Sequence, residues 1–90
     1  MRQVVLGKIY DTEHATEISF GCSPPGTSIR DHQYWEAWLY RTGNGRYFLS
    51  RKWLDKRWIQ PLSIAGAMKF LEQHDQDALE EEFGGQLEEA

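Results

Sequence analysis

The alternation of apolar and polar positions divides the chain into a β-rich first part and a helical last part. Val4 to Tyr10 alternates and is rich in β-branched and aromatic residues, which predicts a first strand. Thr16 to Phe20 predicts a second, with Ile18 and Phe20 on one face and Glu17 and Ser19 on the other. The two together read as a hairpin-like unit, with Asp11 or Thr12 capping a short turn between them. Gly21 to Thr27 holds two Gly, two Pro and two Ser/Thr and predicts a loop, locally extended at Pro24-Pro25, that continues to Gln33. Tyr34 to Arg41 is the clearest strand. Tyr34, Glu36, Trp38 and Tyr40 point one way, and Trp35, Ala37, Leu39 and Arg41 the other. Thr42-Gly43-Asn44-Gly45 is a hairpin turn, because Asn-Gly tolerates the positive φ of tight turns. Arg46 to Ser50 is the returning strand. Arg51 to Arg57 reads as a strand extension or a turn, and Trp58 to Leu62 as a last short strand, with Pro61 marking an edge or a strand end.

The period then changes from two to 3.6. Ser63 is an N-cap for a helix from Ile64 to about His74, with Ile64, Ala67, Met68 and Leu71 as the inward stripe and Phe70 beside it. Asp75 caps a second helix with Ala78, Leu79 and Phe83 inward and Glu80, Glu81 and Glu82 largely outward, stopped by Gly84-Gly85. The expected fold is α+β: a small antiparallel sheet of four to five strands followed by two C-terminal helices, with one sheet face covered by the first helix. Ninety residues fit a single domain, mostly β over 1–62, helical over 63–84 and frayed over 85–90.

Charge sharpens this picture. Residues 1–62 hold nine Lys/Arg against six acids, a balance of +3. Residues 63–90 hold Lys69 alone against eight acids, a balance of −7, and together these give the formal net charge of −4. Such a split points to charged partners or to an acidic tail. A single cysteine, Cys22, makes no internal disulfide, so the fold does not rely on an oxidising compartment. Three apolar residues, Val4-Val5-Leu6, are too few for a secretory core, and no run reaches the length of a membrane span. The expectation is a cytoplasmic protein with no membrane partner.

Four short signatures run in order along the chain. They are Gly7-Lys8-x-Tyr10-Asp11-Thr12-Glu13-x-Ala15; Tyr40-Arg41-Thr42-x-x-Gly45-Arg46-Tyr47-Phe48-Leu49; Pro61-Leu62-Ser63 before a helix; and Ala78-Leu79-Glu80-x-x-Phe83-Gly84. In these the chain resembles a group of small bacterial proteins, mostly uncharacterised, carried on phages, plasmids and other mobile elements. Members of that group often carry a Gly-rich stretch after the Phe-Leu strand. Ser50-Arg51-Lys52-Trp53-Leu54 stands there in this chain, so nothing about that loop carries over. In size and acidity the chain is also similar to anti-CRISPR proteins, a type of small mobile-element inhibitor that occupies a DNA-binding or subunit surface of an RNA-guided effector.

Two surfaces are candidates for binding. Glu72, Asp75, Asp77, Glu80, Glu81, Glu82, Glu88 and Glu89 form an acidic segment that mimics nucleic-acid phosphates, steering the protein to the Lys/Arg lining of a nucleic-acid channel. The plainer alternative is a solvated helix face with a loose tail. The resemblance makes a subunit of a bacterial CRISPR effector the favoured partner, with the protein as its non-enzymatic inhibitor. The second surface is the aromatic, basic hairpin, where Trp38, Tyr40, Arg46, Arg51, Lys52 and Arg57 combine stacking rings and cations as in single-stranded nucleic-acid binders. Its plainer alternative is that most of these rings are core, or that the basic cluster pairs with the acidic helices or a second copy. A third reading is an accessory protein of a plasmid or phage. Trp53 and Trp58, with Leu54 between, read either as an exposed patch or as core under the helices.

Catalytic chemistry has little to stand on. His14, His32 and His74 are far apart, each beside an acid that points elsewhere, and Asp31-His32 has no accompanying nucleophile. Cys22 lacks a recognisable partner. Metal-ligand spacings such as Cys-x-x-Cys are absent, and Gly43-Asn44-Gly45 precedes no helix that would hold phosphate. The expectation is therefore no catalytic residue, no metal and no cofactor, with the oligomeric state left open.

Overall fold

The computed structural model describes residues 1–23 and 33–90. The expected loop over Pro24-Pro25 and the Asp31-His32 pair lie outside the described residues. The architecture is α+β. A two-stranded hairpin, β1 (Arg2–Val5) and β2 (Lys8–Asp11), precedes a 3-10 turn at Thr12–His14. A four-stranded antiparallel meander follows: β3 (Ala15–Cys22), β4 (Trp35–Thr42), β5 (Tyr47–Trp53) and β6 (Lys56–Leu62), in that spatial order. Helices α1 (Ile64–His74) and α2 (Gln76–Phe83) then close the fold, followed by a 3-10 turn at Gly84–Gln86. Pro61 lies in the edge strand β6, where its missing N–H costs the ladder nothing on the open side.

The first hairpin departs from the expectation of one strand over Val4–Tyr10. Leu6 (φ 49°) and Gly7 (φ 77°) break that run into two strands that pair Val4 with Ile9 and Val5 with Lys8. Positive φ at both central residues is the type I′ geometry that suits hairpin twist, but it is a costly one for leucine. The β4–β5 turn differs from expectation in a similar detail. Gly45 alone takes positive φ (79°), while its N–H donates to the Thr42 carbonyl at 3.0 Å. The ambiguous segment 51–57 is both strand and turn: β5 and β6 meet at Leu54-Asp55, with Leu54 at φ 56°.

The most consequential departure is in β3. Glu17 pairs with Tyr40 and Ser19 with Leu39, so Ile18 is an extra residue in a bulge. A bulge shifts the two-residue period by one. Ser19 therefore turns to the helix-covered face and is buried at 7% exposure, while Phe20 turns to the opposite face, 43% exposed. The sequence period had placed Ile18 and Phe20 together, but Ile18 packs against the helix-side core without Phe20.

That core joins Ala37, Leu39, Tyr47 and Leu49 of the sheet to Ala67, Phe70, Leu71, Ala78, Leu79 and Phe83 of the helices. The inward stripe of α1 is rotated from expectation: Phe70 is buried, Met68 is half-buried, and Ile64 is 52% exposed. Phe70 sits low because β3 gives it room. A methyl group placed on Gly21 would lie 2.8 Å from ring atoms of both Phe70 and His74. On the other face, the β1–β2 hairpin covers one end of the sheet. Tyr10 is buried edge-on against Phe48 (5.4 Å, 66°), beside Ile59, whose N–H donates to Gln3 Oε1 at 2.9 Å.

The close approach of α1 to β3 generates the first test. Gly21→Ala forces the Phe70 and His74 rings outward and is expected to cost about 1–3 kcal/mol in urea denaturation. An unchanged midpoint would mean that the helix does not pack against β3 at this distance.

Candidate binding surfaces

Asp75 begins with the backbone. Its N–H closes α1 on the Leu71 carbonyl at 2.8 Å, and its Oδ1 accepts the Ala78 N–H at 3.0 Å, capping α2. Its Oδ2 accepts the Ser19 hydroxyl at 2.7 Å. Hydrogen bonds from the Ala78 N–H and from Ser19 hold the Asp75 carboxyl below its ordinary range. Glu82, expected outward, turns in. Its Oε1 accepts from Arg41 Nη1 at 2.6 Å and its Oε2 from the Tyr47 hydroxyl at 2.6 Å, and its side chain is 12% exposed. Burial pushes the Glu82 carboxyl up, but the donors Tyr47 and Arg41 outweigh it and the net shift is down. In return, burial first and Glu82 second push the Tyr47 hydroxyl up to about 12. Two of the eight acidic candidates therefore hold the helices to the sheet.

The remaining acids form a ridge. Glu72, Asp77, Glu80 and Glu81 are exposed. Asp77 shares a helix face with Glu80 and Glu81 by their three- and four-residue spacing. Glu72 lies in the last turn of α1, just before the tight corner, where Gln76 Nε2 donates to the Glu72 carbonyl at 2.7 Å. Glu88 and Glu89 continue beyond the last 3-10 turn, both exposed. No Lys or Arg follows Lys69 in the chain. Among the described residues the ion pairs are His14–Asp11 and Arg41–Glu82, so none neutralises the ridge.

The aromatic and basic candidates separate onto different surfaces. On the face opposite the helices, the cross-strand register aligns Phe20, Trp38, Ser50 and Ile59 in one row, and Cys22, Glu36, Lys52 and Arg57 in the next. Phe20 and Trp38 rings lie 5.3 Å apart, and the Arg57 guanidinium sits 5.2 Å over Trp38. Lys52 and Arg57 are exposed. Tyr40 belongs to the covered end of this face, stacked on Phe48 at 5.2 Å. Burial, and Glu17 beside it, raise the Tyr40 hydroxyl pKa. Arg46 lies at the β4–β5 turn, its N–H on Thr42 Oγ1. Arg51 lies on the helix-side face, 5.3 Å over the Trp35 ring. The structure thus brings together Trp38, Lys52 and Arg57, adds Phe20, and leaves out Arg46 and Arg51. Nothing in the sequence pattern announced Phe20, because the bulge that turns it is a tertiary feature. Trp53 and Leu54 are exposed at the β5–β6 end and Trp58 is half-buried, all outside the buried core clusters.

The histidines are also placed. His14 Nδ1 lies 2.8 Å from Asp11 Oδ2, an exposed contact that, as its largest cause, lowers the Asp11 carboxyl pKa. The His74 ring packs between Phe70 (4.6 Å) and Trp35 (5.6 Å). Cys22 is a half-buried free thiol. Among the described residues no three His, Cys, Asp or Glu come together to hold a metal ion, and no helix is long and apolar enough to cross a membrane. Comparison of the chain with protein-family models, curated proteins and solved structures found no match.

The Glu82 cluster generates a pH test. A carboxyl whose folded pKa lies below its unfolded value gives stability that is full above the unfolded value and is lost as pH falls through the folded one. Glu82→Gln is expected to make the acid limb of the stability profile shallower. At neutral pH it should cost about 1 kcal/mol, the half-exposed Arg41 being screened by water. An acid limb identical to that of the parent protein would show that Glu82 is not held as described.

Proposed function

We propose that the protein is a non-enzymatic binding protein that docks its α1–α2 corner on a basic, nucleic-acid-holding surface of another protein and blocks it. A subunit of a bacterial CRISPR effector is the partner proposed, on the resemblance to small acidic mobile-element inhibitors. The observation that carries this reading is the exposed ridge of Glu72, Asp77, Glu80 and Glu81, unpaired with any described base and continued by Glu88 and Glu89. Carboxylates fixed on a helix corner meet Lys/Arg rows as phosphates do, and steer association from a distance. Asp75 and Glu82 support the ridge by holding both ends of α2 and do not contact the partner.

A second reading is favoured by one specific observation, the Phe20–Trp38 ring pair with Arg57 above it and Lys52 beside it. Rings on an open sheet face next to cations stack the bases of a single strand. Its site is then Phe20, Trp38, Lys52 and Arg57.

The experiment is inhibition of target-DNA binding by a purified CRISPR effector, run alongside retention of a single-stranded oligonucleotide. Reversing Glu72, Asp77, Glu80 and Glu81 to Lys is expected to weaken inhibition by at least about tenfold while the fold survives. Trp38→Ala with Arg57→Glu should leave it unchanged. Full inhibition by the folded four-site variant would sink the first reading. Oligonucleotide binding that falls steeply with salt and is lost in the Trp38/Arg57 variant would establish the second.

A further inference from the structure

A cleft of about 220 Å³ opens between α1 and the β4–β6 part of the sheet, and its wall includes Trp35, Arg51, Gln60, Lys69, Phe70 and His74. Its charge is opposite in sign to the net charge of the molecule. The protein carries a formal −4, and residues 63–90 carry a single base, yet that base, Lys69, faces this cleft together with Arg51 and no carboxylate lines it. Neither cation is in an ion pair among the described residues. Arg51 is also held ready: its guanidinium lies over the Trp35 ring at 5.3 Å, and its Nη1 donates to Gln60 Oε1 at 2.8 Å. That single bond leaves the other guanidinium N–H groups for a ligand.

Two cations from opposite walls, one a planar fork and one a point charge, suit the oxygens of a phosphate group. Trp35, Phe70 and His74 supply an aromatic wall beside them, with the His74 ring edge-on to Trp35 (87°). The volume equals that of about seven liquid waters, enough for a phosphate with one ring attached. We propose that this cleft binds a small phosphate monoester carrying a planar group, with the phosphate between Arg51 and Lys69 and the ring against Trp35. This site is separate from the acidic ridge and does not rest on the docking role proposed for it.

Calorimetry with phenyl phosphate, with the Trp35 indole followed by NMR, tests it on the whole chain. Saturable binding with a Kd of roughly 1 mM or below is expected, with inorganic phosphate weaker and phenol not binding. Arg51→Gln and Lys69→Gln are each expected to weaken phenyl phosphate about tenfold; Arg51→Gln also loses the Trp35 and Gln60 contacts and lowers Tm slightly, whereas the exposed Lys69 gives a variant with unchanged Tm. A 5′-phosphorylated oligonucleotide that binds more tightly than AMP assigns the phosphate to a strand end, and equal affinity assigns it to a free ester. No saturable binding of phenyl phosphate, or the same affinity in parent and both variants, overturns the proposal, and inorganic phosphate binding as tightly as phenyl phosphate overturns the role of the aromatic wall.

Discussion

The arrangement of helices on the sheet turns on the carboxylate of Asp75. One oxygen caps α2, the other accepts the hydroxyl of Ser19, and the backbone N–H of the same residue ends α1. Ser19 is available only because the bulge at Ile18 turns it to the helix side. An uncapped helix start costs about 1 kcal/mol, and a buried hydroxyl left without a partner costs more. The helix corner is therefore fixed in place over β3, and Gly21 lets Phe70 and His74 come close beside it. The second attachment, Glu82 with Arg41 and Tyr47, holds the far end of α2. Between them these two carboxylates fix the orientation of α2 as a rigid body.

That rigidity also bears on the exposed acids. Asp77, Glu80 and Glu81 lie on a helix clamped at both ends, and Glu72 lies on α1 one turn before the clamp at Asp75, so the fold sets the backbone spacing of these acids. Preorganised charge loses little entropy on binding. The opposite face of the sheet has another character, with Phe20 and Trp38 in contact under Arg57. A chain of 90 residues thus presents an acidic helix corner and an aromatic sheet face on opposite sides of one four-stranded sheet.

Arg51 illustrates how position outweighs composition. In the sequence it belongs to a basic run with Lys52, Lys56 and Arg57. In the fold, the alternation along β5 sends Lys52 to the open face and Arg51 to the helix side, where it meets Trp35 and the cleft beneath α1. Neighbouring charges in the chain end up serving different surfaces, because a strand turns successive side chains to opposite faces.

The sequence by itself determined the fold class, the two faces of β4, the turn at residues 42–45 and both helix caps, Ser63 and Asp75. Each of these rests on a local rule: a period, a cap or a turn residue whose cause lies within a few positions of it. Four features emerged only in three dimensions. The type I′ turn at Leu6-Gly7 was concealed by an apolar run that reads as a continuous strand. The bulge at Ile18 reversed the expected faces of Ser19 and Phe20. Burial of Phe70 in place of Ile64 followed from the space over Gly21. The inward turn of Glu82 depended on Arg41 and Tyr47, far away in sequence. The first of these is a local turn hidden by its apolar flanks; in the other three the deciding partner is non-local, so no periodicity in the chain encodes it, and only packing of the helices on the sheet could choose it.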